Sequence, residues 1–303
     1  MTAESGYVPD FLTIDVPLPL PREGHVVRQL DYTHFTVLLD PLRRLAAATA
    51  VNIDGATLLT VDRTDDWRLD TRVPDTEQAG ARLYADNDLD RGHLVRRNDP
   101  VWGTPEIAAR ANSETFMFTN AAPQSGKFNQ GAELWAGLKN FVLKHARVHR
   151  AKLSVFTGPV FDPADPVYRD IAIPRLFWKI AAWVQSPNDV EPEERNEADE
   201  ADEADELLEG LVLAATAYVL DQTPQLDNID LRTARALATG NTPPLGPFRT
   251  FQVPVADVGA LTGLNLRQLV DADRLRIPAT VRAVERADRV LWVPLETLER
   301  MEL

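Results

Sequence analysis

The segment Asp90–Arg97 constrains the chain most, because it places an imidazole, three guanidinium groups and a glycine within eight residues. Histidine can take a proton from water near neutral pH, so His93 is a candidate general base. The guanidinium of Arg91 suits phosphate oxygens and the charge that develops on them in a transition state. Gly92 is expected to turn the backbone so that both side chains face one point. The segment therefore predicts a phosphate-cutting site; the alternative is a surface turn, which an Arg-Gly-His tripeptide forms more often.

Amide side chains downstream favour the phosphate-cutting interpretation. Asn129 follows at the start of an apolar helical pattern, where its neutral oxygen can hold a hydrated Mg²⁺ that bridges to substrate phosphate. A strand predicted over Thr115–Thr119 would deliver Asn120, which is expected to orient the attacking water or donate to the phosphate. Gln124 is expected to hold the following loop closed.

Together these residues resemble the signature of the DNA/RNA non-specific endonucleases of the ββα-metal type. The likeness rests on Asp90–His93, on Thr119–Asn120 with Pro123–Gln124, and on Asn129 at a helix start. It extends over about residues 30 to 275 through the motifs Tyr32–Phe35, Ala50–Gly55, Phe156–Phe161, Ile173–Pro174 and Phe177–Lys179.

The predicted fold is α+β, a single domain with a central antiparallel sheet and a ββα-metal centre made from two strands, their connecting loop and a helix. The resemblance implies hydrolysis of phosphodiester bonds in DNA and RNA with little sequence preference, leaving 5′-phosphate ends. In that scheme His93 is the general base, and Asn129 holds one Mg²⁺, for which Mn²⁺ can substitute. Arg91 and Asn120 neutralise and orient the phosphate.

Further substrate contacts are expected from arginines around the motif. The resemblance implies an upstream arginine that contacts phosphate, and Arg63 is the candidate by its spacing to Trp67; the alternative is a surface arginine with incidental ion pairs. Arg96 and Arg97 either reach flanking phosphates or form a solvated basic turn. Gln124 is grouped with these substrate-binding residues.

The sequence departs from the family pattern at the predicted helix. Trp135 lies six residues after Asn129, two more than the usual interval, and Lys139 stands where a glutamate commonly helps to position water around the metal. Glu133 is the candidate replacement for that glutamate. Two rivals stay open: a metal phosphodiesterase with a narrower substrate, and an inactive relative that only binds nucleic acid or a partner.

The charge distribution bears on nucleic-acid binding. A formal net charge of −14 is unusual for a protein that binds phosphate backbones. Between Asp189 and Glu209, however, 12 acidic residues oppose the single Arg195, whereas the stretch from Arg82 to Arg150 carries a net charge of +3. The catalytic region is therefore basic enough for local phosphate contacts. The acidic insertion is either a solvated loop or a cover that mimics nucleic-acid charge.

The predicted organisation has an extended N-terminal arm over residues 1–24, which is either a strap over the surface or a loose arm. An endonuclease domain follows over 25–290, with the acidic insertion at 188–209, and a tail over 291–303. Apolar runs bounded by turn residues predict strands at Phe35–Leu39, Leu45–Asn52, Ala56–Val61, Leu153–Thr157, Leu211–Leu220 and Phe248–Val255. Helical spacing predicts helices over Pro105–Ala111, from Gln130 through His145, and over Val258–Leu264.

Two other histidine positions invite a metal interpretation. His34 lies beside an apolar run and is expected to be a packed structural residue rather than a ligand. His145 and His149 are four residues apart on a predicted helix and can share a metal, but no third ligand is evident.

Cysteine usage and the termini suggest a compartment. The chain has no cysteine, so it forms no disulfide and no thiolate metal site, which fits a reducing environment. No signal-peptide pattern and no apolar run long enough to span a membrane is seen, so no membrane partner is expected. Cytoplasmic localisation is the default expectation, with a specialised export route open. The sequence leaves the oligomeric state open, and a homodimer is compatible with it.

Overall fold

The computed structural model describes residues 6–22, 24–126, 135–185, 210–226, 249–275 and 292–295. Twelve strands lie in these ranges: β1 Arg28–Tyr32, β2 Phe35–Asp40, β3 Leu45–Asp54, β4 Leu89–His93, β5 Ala121–Ser125, β6 Lys152–Val160, β7 Val167–Tyr168, β8 Ile171–Ala172, β9 Leu176–Gln185, β10 Val212–Asp221, β11 Arg249–Val253 and β12 Val293–Pro294. The α-helices there are α1 Ala81–Tyr84, α2 Pro105–Glu114, α3 Trp135–His149, α4 Thr223–Leu226, α5 Val255–Thr262 and α6 Arg267–Asp271. Short 3₁₀ turns cover Asp75–Glu77 and Phe118–Asn120.

The central element is an eight-stranded sheet in the order β1-β2-β3-β6-β9-β10-β11-β12, and every neighbouring pair is antiparallel. Two small antiparallel pairs, β4-β5 and β7-β8, stand apart from it. The predicted mixed single domain with a central antiparallel sheet is confirmed. No helix in the described ranges is long and apolar enough to cross a membrane.

Both faces of the sheet are buried, which explains why its strands are apolar at nearly every position. Successive side chains of a strand point to opposite faces. Val37 and Leu39 accordingly join one core cluster, with Val142 of α3 and Ala122 of β5, whereas Leu38 joins another. We call the first of these the site face and the second the far face. Helices α5 and α6 contribute to the far face.

The N-terminal segment packs on the far face as a strap. Tyr7, Leu12 and Val16 are buried in its core cluster. Backbone amides of the segment donate to side chains of the sheet: Tyr7 N to Thr36 Oγ1 at 2.9 Å and Val8 N to Asn52 Oδ1 at 2.7 Å. Residues 6–22 therefore behave as part of the core layer.

Two predicted strands are wrong. The run 56–61 forms only an isolated bridge, between Leu58 and Trp102. The run 115–119 instead completes the end of α2, where Thr115 N donates to Ala111 O at 3.2 Å, and then enters the 3₁₀ turn. The alternating Phe and Met side chains of this run resemble a strand pattern, but backbone capping of α2 holds the chain in tight turns.

Most of the other predicted elements occur with small shifts of their ends. Strands β2, β3, β6, β10 and β11 and helix α5 match predicted runs, and α2 continues three residues further than predicted. Strand β1 was missed, because its residues are more polar than those of the central strands. The acidic insertion lies outside the described residues, as does the tail except for 292–295.

The packing of the N-terminal strap can be tested with a matched pair of leucines. Leu12 is 1% exposed and Leu42 is 94% exposed. Leu12→Ala is expected to lower the free energy of unfolding by about 2–5 kcal/mol, because it leaves a cavity in the far-face core. Leu42→Ala should change it by less than about 0.5 kcal/mol. Urea denaturation measures both, and equal small effects would contradict the packed strap.

Candidate active site

The antiparallel pair of β4 and β5 carries Arg91 and His93. Both lie on β4, where they pair with Pro123 and Ala121 of β5. Residues two apart on a strand share a face, so the two side chains project to the same side. The predicted turn at Gly92 is wrong, since Gly92 lies inside the strand and is not among the residues with positive φ. Strand alternation, and not a bend, makes the two groups converge.

Gly92 is required by close packing. A Cβ atom built at this position would lie 2.6 Å from Cγ of Gln124 and closer still to its amide carbonyl. Gln124 is fully buried, and its amide finds no hydrogen-bond partner among the described residues. The side chain of Gln124 thus packs directly against Gly92 within the β4-β5 pair. This placement favours a packing role over the substrate contact that the sequence suggested.

A buried glutamine next to the sheet binds the β4-β5 pair. Gln222, at the end of β10, is fully buried. Its Oε1 accepts from Ser125 N at 3.0 Å, and its Nε2 donates to the carbonyl oxygens of Pro123 at 3.3 Å and Pro174 at 2.6 Å. One buried amide therefore links β5, the segment before β9 and the end of β10.

An aromatic wall supports the imidazole. The ring of His93 lies 4.7 Å from that of Trp67 and 5.1 Å, edge to face, from that of Phe116. Trp67 also lies 5.3 Å from Phe116 and 5.8 Å from Phe118. These contacts orient the half-buried imidazole through packing. The sequence interpretation missed the three aromatic residues as site residues; the only signals were the spacing of Trp67 from Arg63 and the Phe116/Phe118 alternation.

Asn120 holds the chain that leaves His93. Its Oδ1 accepts from Val95 N at 2.9 Å, and its Nδ2 donates to Val95 O at 2.9 Å and Thr115 O at 3.0 Å. Its backbone carbonyl also accepts from Leu94 N at 3.0 Å. The side chain is fully buried and both amide protons are used. This placement favours a positioning role over the predicted phosphate contact.

Two arginines flank the aromatic wall on its solvent side. The guanidinium of Arg91 lies 5.6 Å from the centre of the Trp67 ring, and that of Arg63 lies 5.6 Å from the Phe116 ring. Arg63 also donates two hydrogen bonds of 2.6 Å to the exposed carboxylate of Asp65. Of the four arginines predicted to bind phosphate, Arg63 and Arg91 thus lie next to aromatic rings that contact His93.

Asp65 experiences this cationic environment. The hydrogen bond from Arg63 lowers the pKa of the Asp65 carboxyl group, against a smaller opposing effect of burial, and the charges of Arg63, Arg91 and His93 lower it further. The carboxylate is therefore ionised at neutral pH among the groups predicted to contact phosphate.

The other two predicted arginines lie deeper. Arg97 donates to Val61 O at 2.6 Å and to Asn112 Oδ1 at 3.2 Å, and burial lowers its pKa. Arg96 is half-buried, and its charge acts on Lys179 in the sheet. The contacts of Arg97 favour a structural role over a reach to flanking phosphates.

Lys179 is a buried cation beneath the site. Its side chain is 1% exposed and its Nζ donates to Thr157 Oγ1 at 2.7 Å. Burial lowers the pKa of Lys179 to about 8, the buried carboxylate of Asp99 opposes that shift, and Arg96 adds to it. Asp99 belongs to the same turn as Arg96, because its backbone N–H donates to Arg96 O at 3.0 Å.

The predicted metal ligand Asn129 lies outside the described residues, as does Glu133, and the side chain of Lys139 is not described. Within the described part of the chain, no three His, Cys, Asp or Glu side chains group to hold a metal ion. A closed site of the zinc type is therefore not formed by those residues. A single amide ligand, as predicted at Asn129, is compatible with a largely hydrated hard cation, which keeps most of its waters.

His34 is packed inside the protein, and His145 lies next to His149 on α3. His34 is buried, its Nδ1 donates to Pro100 O at 2.9 Å, and its ring stacks on Trp102 at 3.4 Å, which confirms a structural role. Burial lowers the pKa of His145, and nearby His149, with a ring 4.4 Å away, lowers it further. No third ligand joins this pair among the described residues.

The chain is similar to several known proteins. The family model described as DNA/RNA non-specific endonuclease matches residues 21–273. A protein of Sinorhizobium fredii (strain NBRC 101917 / NGR234), "Uncharacterized protein y4fB", is 37% identical over 301 residues, which cover 92% of this chain and 41% of that protein. A protein of Nostoc sp. (strain PCC 7120 / SAG 25.82 / UTEX 2576) named "Nuclease" is 25% identical over 139 residues, or 46% of this chain and 48% of that protein. The chain spans less than half the length of these two relatives.

Among solved structures, a chain of the EndoG/EndoGI complex superimposes with a TM-score of 0.53 at 18% identity. The match covers 82% of this chain and 88% of that chain. At this identity the likeness shows the fold alone.

The close packing under Gly92 can be tested by a double-mutant cycle. Gly92→Ala is expected to lower the free energy of unfolding by about 1–3 kcal/mol, because the added methyl group overlaps Gln124. Adding Gln124→Ala should recover part of this loss, since it removes the overlapping atoms. Gly259→Ala in α5 is the control: a Cβ there meets its nearest atom at 3.7 Å. Denaturant unfolding measures the wild type, the two single variants, the double variant and the control, and strict additivity of Gly92→Ala and Gln124→Ala would contradict the assigned contact.

Proposed function

Because the chain belongs to the DNA/RNA non-specific endonuclease family, we propose that it is a metal-dependent nuclease that hydrolyses phosphodiester bonds in DNA and RNA with little sequence preference. One observation supports this most: Arg91 and His93 project from the same face of β4 against a fixed aromatic wall. The proposed base His93 and the proposed phosphate-binding group of Arg91 are thus held at a fixed distance from each other. In-line attack of water on a phosphodiester needs both groups in such a fixed arrangement.

In the proposed reaction His93 takes a proton from a water molecule as that water attacks phosphorus. A new bond forms between phosphorus and the water oxygen, the bond to the 3′ oxygen breaks, and the departing oxygen takes up a proton. The products are a 5′-phosphate and a 3′-hydroxyl. Arg91 donates to the phosphate oxygens while negative charge accumulates on them. Trp67 and Phe116 restrict the imidazole, which lowers the cost of orienting it.

Asn120 acts in this scheme as a positioning residue. By binding both backbone polar groups of Val95, it fixes the chain two residues after His93. A bound Mg²⁺, for which Mn²⁺ can substitute, would neutralise charge on the phosphate, and Asn129 is the residue proposed to hold it. A histidine base suits a site with one metal ion, because it supplies the proton acceptor that a second ion would otherwise generate.

Plasmid nicking tests the proposal. Wild-type protein should nick supercoiled DNA with Mg²⁺ and stop when EDTA is added. His93→Ala should lower the rate by about 10²–10⁴-fold, because general base catalysis is lost. His25→Ala, at an exposed position before β1, is the matched control and should keep the wild-type rate. Normal turnover of His93→Ala would refute the assignment of the base, and a wild-type protein without activity on DNA or RNA would favour the inactive relative.

Asp65 provides a second test, because it occupies the guanidinium that is proposed to bind phosphate. An exposed ion pair contributes about 0.2–1 kcal/mol, so Asp65→Asn is expected to lower the KM for DNA by about 1.4- to fivefold with kcat unchanged. Asp66→Asn removes the same charge from a carboxylate that lies 3.6 Å from Arg68 instead. Equal decreases in both variants would reduce the effect to net charge. A raised KM for Asp65→Asn would mean that Asp65 orients Arg63 for binding.

A further inference from the structure

The C-terminal part of α3 and the start of β6 form a cationic surface that the site described above does not use. Four exposed side chains define this α3 basic surface, namely Lys144, Arg147, Arg150 and Lys152. No Asp or Glu occurs between Glu133 and Asp162 in a chain whose net charge is −14. The surface is therefore a local exception to the acidic character of the molecule.

Of these four cations, Lys152 contacts the N-terminal strap, because its Nζ lies 4.8 Å from the centre of the Phe11 ring. None of them forms an ion pair with another described residue. Asp54, which faces Lys152 in the β3-β6 register, accepts from Ala56 N at 3.0 Å. The negative end of the α3 dipole accounts for cations in the last helical turn, but Lys144 precedes that turn and Lys152 lies beyond the helix.

The α3 basic surface is joined to the site face. Val142 and Ala146 of α3 belong to the same core cluster as Leu94 and Val95, which follow His93 directly. The helix end docks on Gly55 at the end of β3, where Gly55 N donates to Ala151 O at 2.9 Å. A Cβ at this glycine would lie 2.7 Å from that carbonyl and closer still to the carbonyl of Ala146, so the contact is fixed.

A short segment leads from this contact to the predicted phosphate-binding residues. Residues 55–63 run from the docking glycine past Val61, which accepts from Arg97, to Arg63. A fully extended chain spans at most about 3.6 Å per residue, so Gly55 and Arg63 are at most about 29 Å apart. Duplex DNA rises about 3.4 Å per base pair, so Gly55 and Arg63 are separated by the length of at most about eight or nine base pairs.

We propose that the α3 basic surface binds the phosphate backbone of the nucleic acid on one side of the bond that is cut. The inference rests on the proposed nuclease function. It accounts for how an acidic protein retains a polymeric substrate: affinity is supplied a few phosphates away from the site, and His93 and Arg91 act on one phosphate only. Backbone contacts carry no sequence information, which agrees with little sequence preference.

The test removes two cations and compares them with two on the opposite side of the sheet. Arg147→Gln/Arg150→Gln alters the α3 basic surface. Arg22→Gln/Arg267→Gln removes the same charge from exposed positions beside α5 and α6, on the far face. Binding of a fluorescent duplex of about 24 base pairs is measured by anisotropy in EDTA, where the duplex stays intact, over a range of salt concentrations.

The α3 double variant is expected to bind the duplex on the order of tenfold more weakly, and its slope of log affinity against log salt should fall by about 2. The far-face variant should change neither quantity appreciably. With Mg²⁺ present, kcat for a chromogenic ester that contains a single phosphodiester should stay at the wild-type value in both variants, because such a substrate cannot reach α3.

Equal weakening in the two double variants would overturn the proposal, because only net charge would then matter. Unchanged duplex binding by the α3 variant would overturn it as well. These outcomes differ from failure of the proposed function, in which the wild-type protein itself would cleave neither the duplex nor the small ester.

Discussion

Three hydrogen bonds from the side chain of Asn120 fix the backbone on which the candidate site depends. They connect the end of the 3₁₀ turn to Val95 and to the end of α2, and Val95 follows His93 by two residues. In a fully buried position such an amide is costly to move, because each broken bond would leave an unsatisfied polar group. The hydrogen bonds of Asn120 therefore fix the backbone next to His93, and the rings of Trp67 and Phe116 restrict its imidazole.

The β4-β5 pair is also held in place by buried amide side chains. Gln222 uses its amide to attach β5 to the segment before β9, and Gln124 fills the space under Gly92. The exposed guanidinium groups of Arg91 and Arg63 thus lie next to backbone segments that the neutral amides of Asn120 and Gln222 hold in place. Neutral amides avoid the desolvation cost of buried charges and leave the electrostatic field at the surface to the arginines. This division suits a site whose substrate is a polyanion.

Local motifs revealed the site, whereas contacts between distant segments defined it. Arg91 and His93 were identified from the local motif Asp90–Arg97, whereas the strand alternation that makes their side chains converge was not predicted. Trp67 and Phe116 were missed, because only the fold brings them to His93. Asn120 was predicted to act on water or phosphate, but the structure buries its side chain, and residue type does not determine burial.

The same distinction applies to the fold. Strands β2, β3 and β6 could be predicted because burial on both faces makes them continuous apolar runs. The run 56–61 has a similar composition, yet it forms a connection, because its partners are isolated residues near Trp102 and Arg97. The bend predicted at Gly92 failed for a related reason: glycine also occurs where another side chain needs the space of a Cβ.

The buried amine of Lys179 has a consequence for behaviour in alkaline solution. A lysine in the unfolded chain titrates near pH 10.4, whereas in the folded protein the pKa of Lys179 is about 8. Between these values the unfolded chain binds more protons than the native one, so this residue makes the native state more stable as the pH rises from about 8 to about 10. Below about pH 8 the amine is charged in both the folded and the unfolded chain, and its burial lowers the stability of the native state by a constant amount. At neutral pH the folded protein therefore holds a protonated amine in its interior, and this residue favours the native state more in mildly alkaline solution.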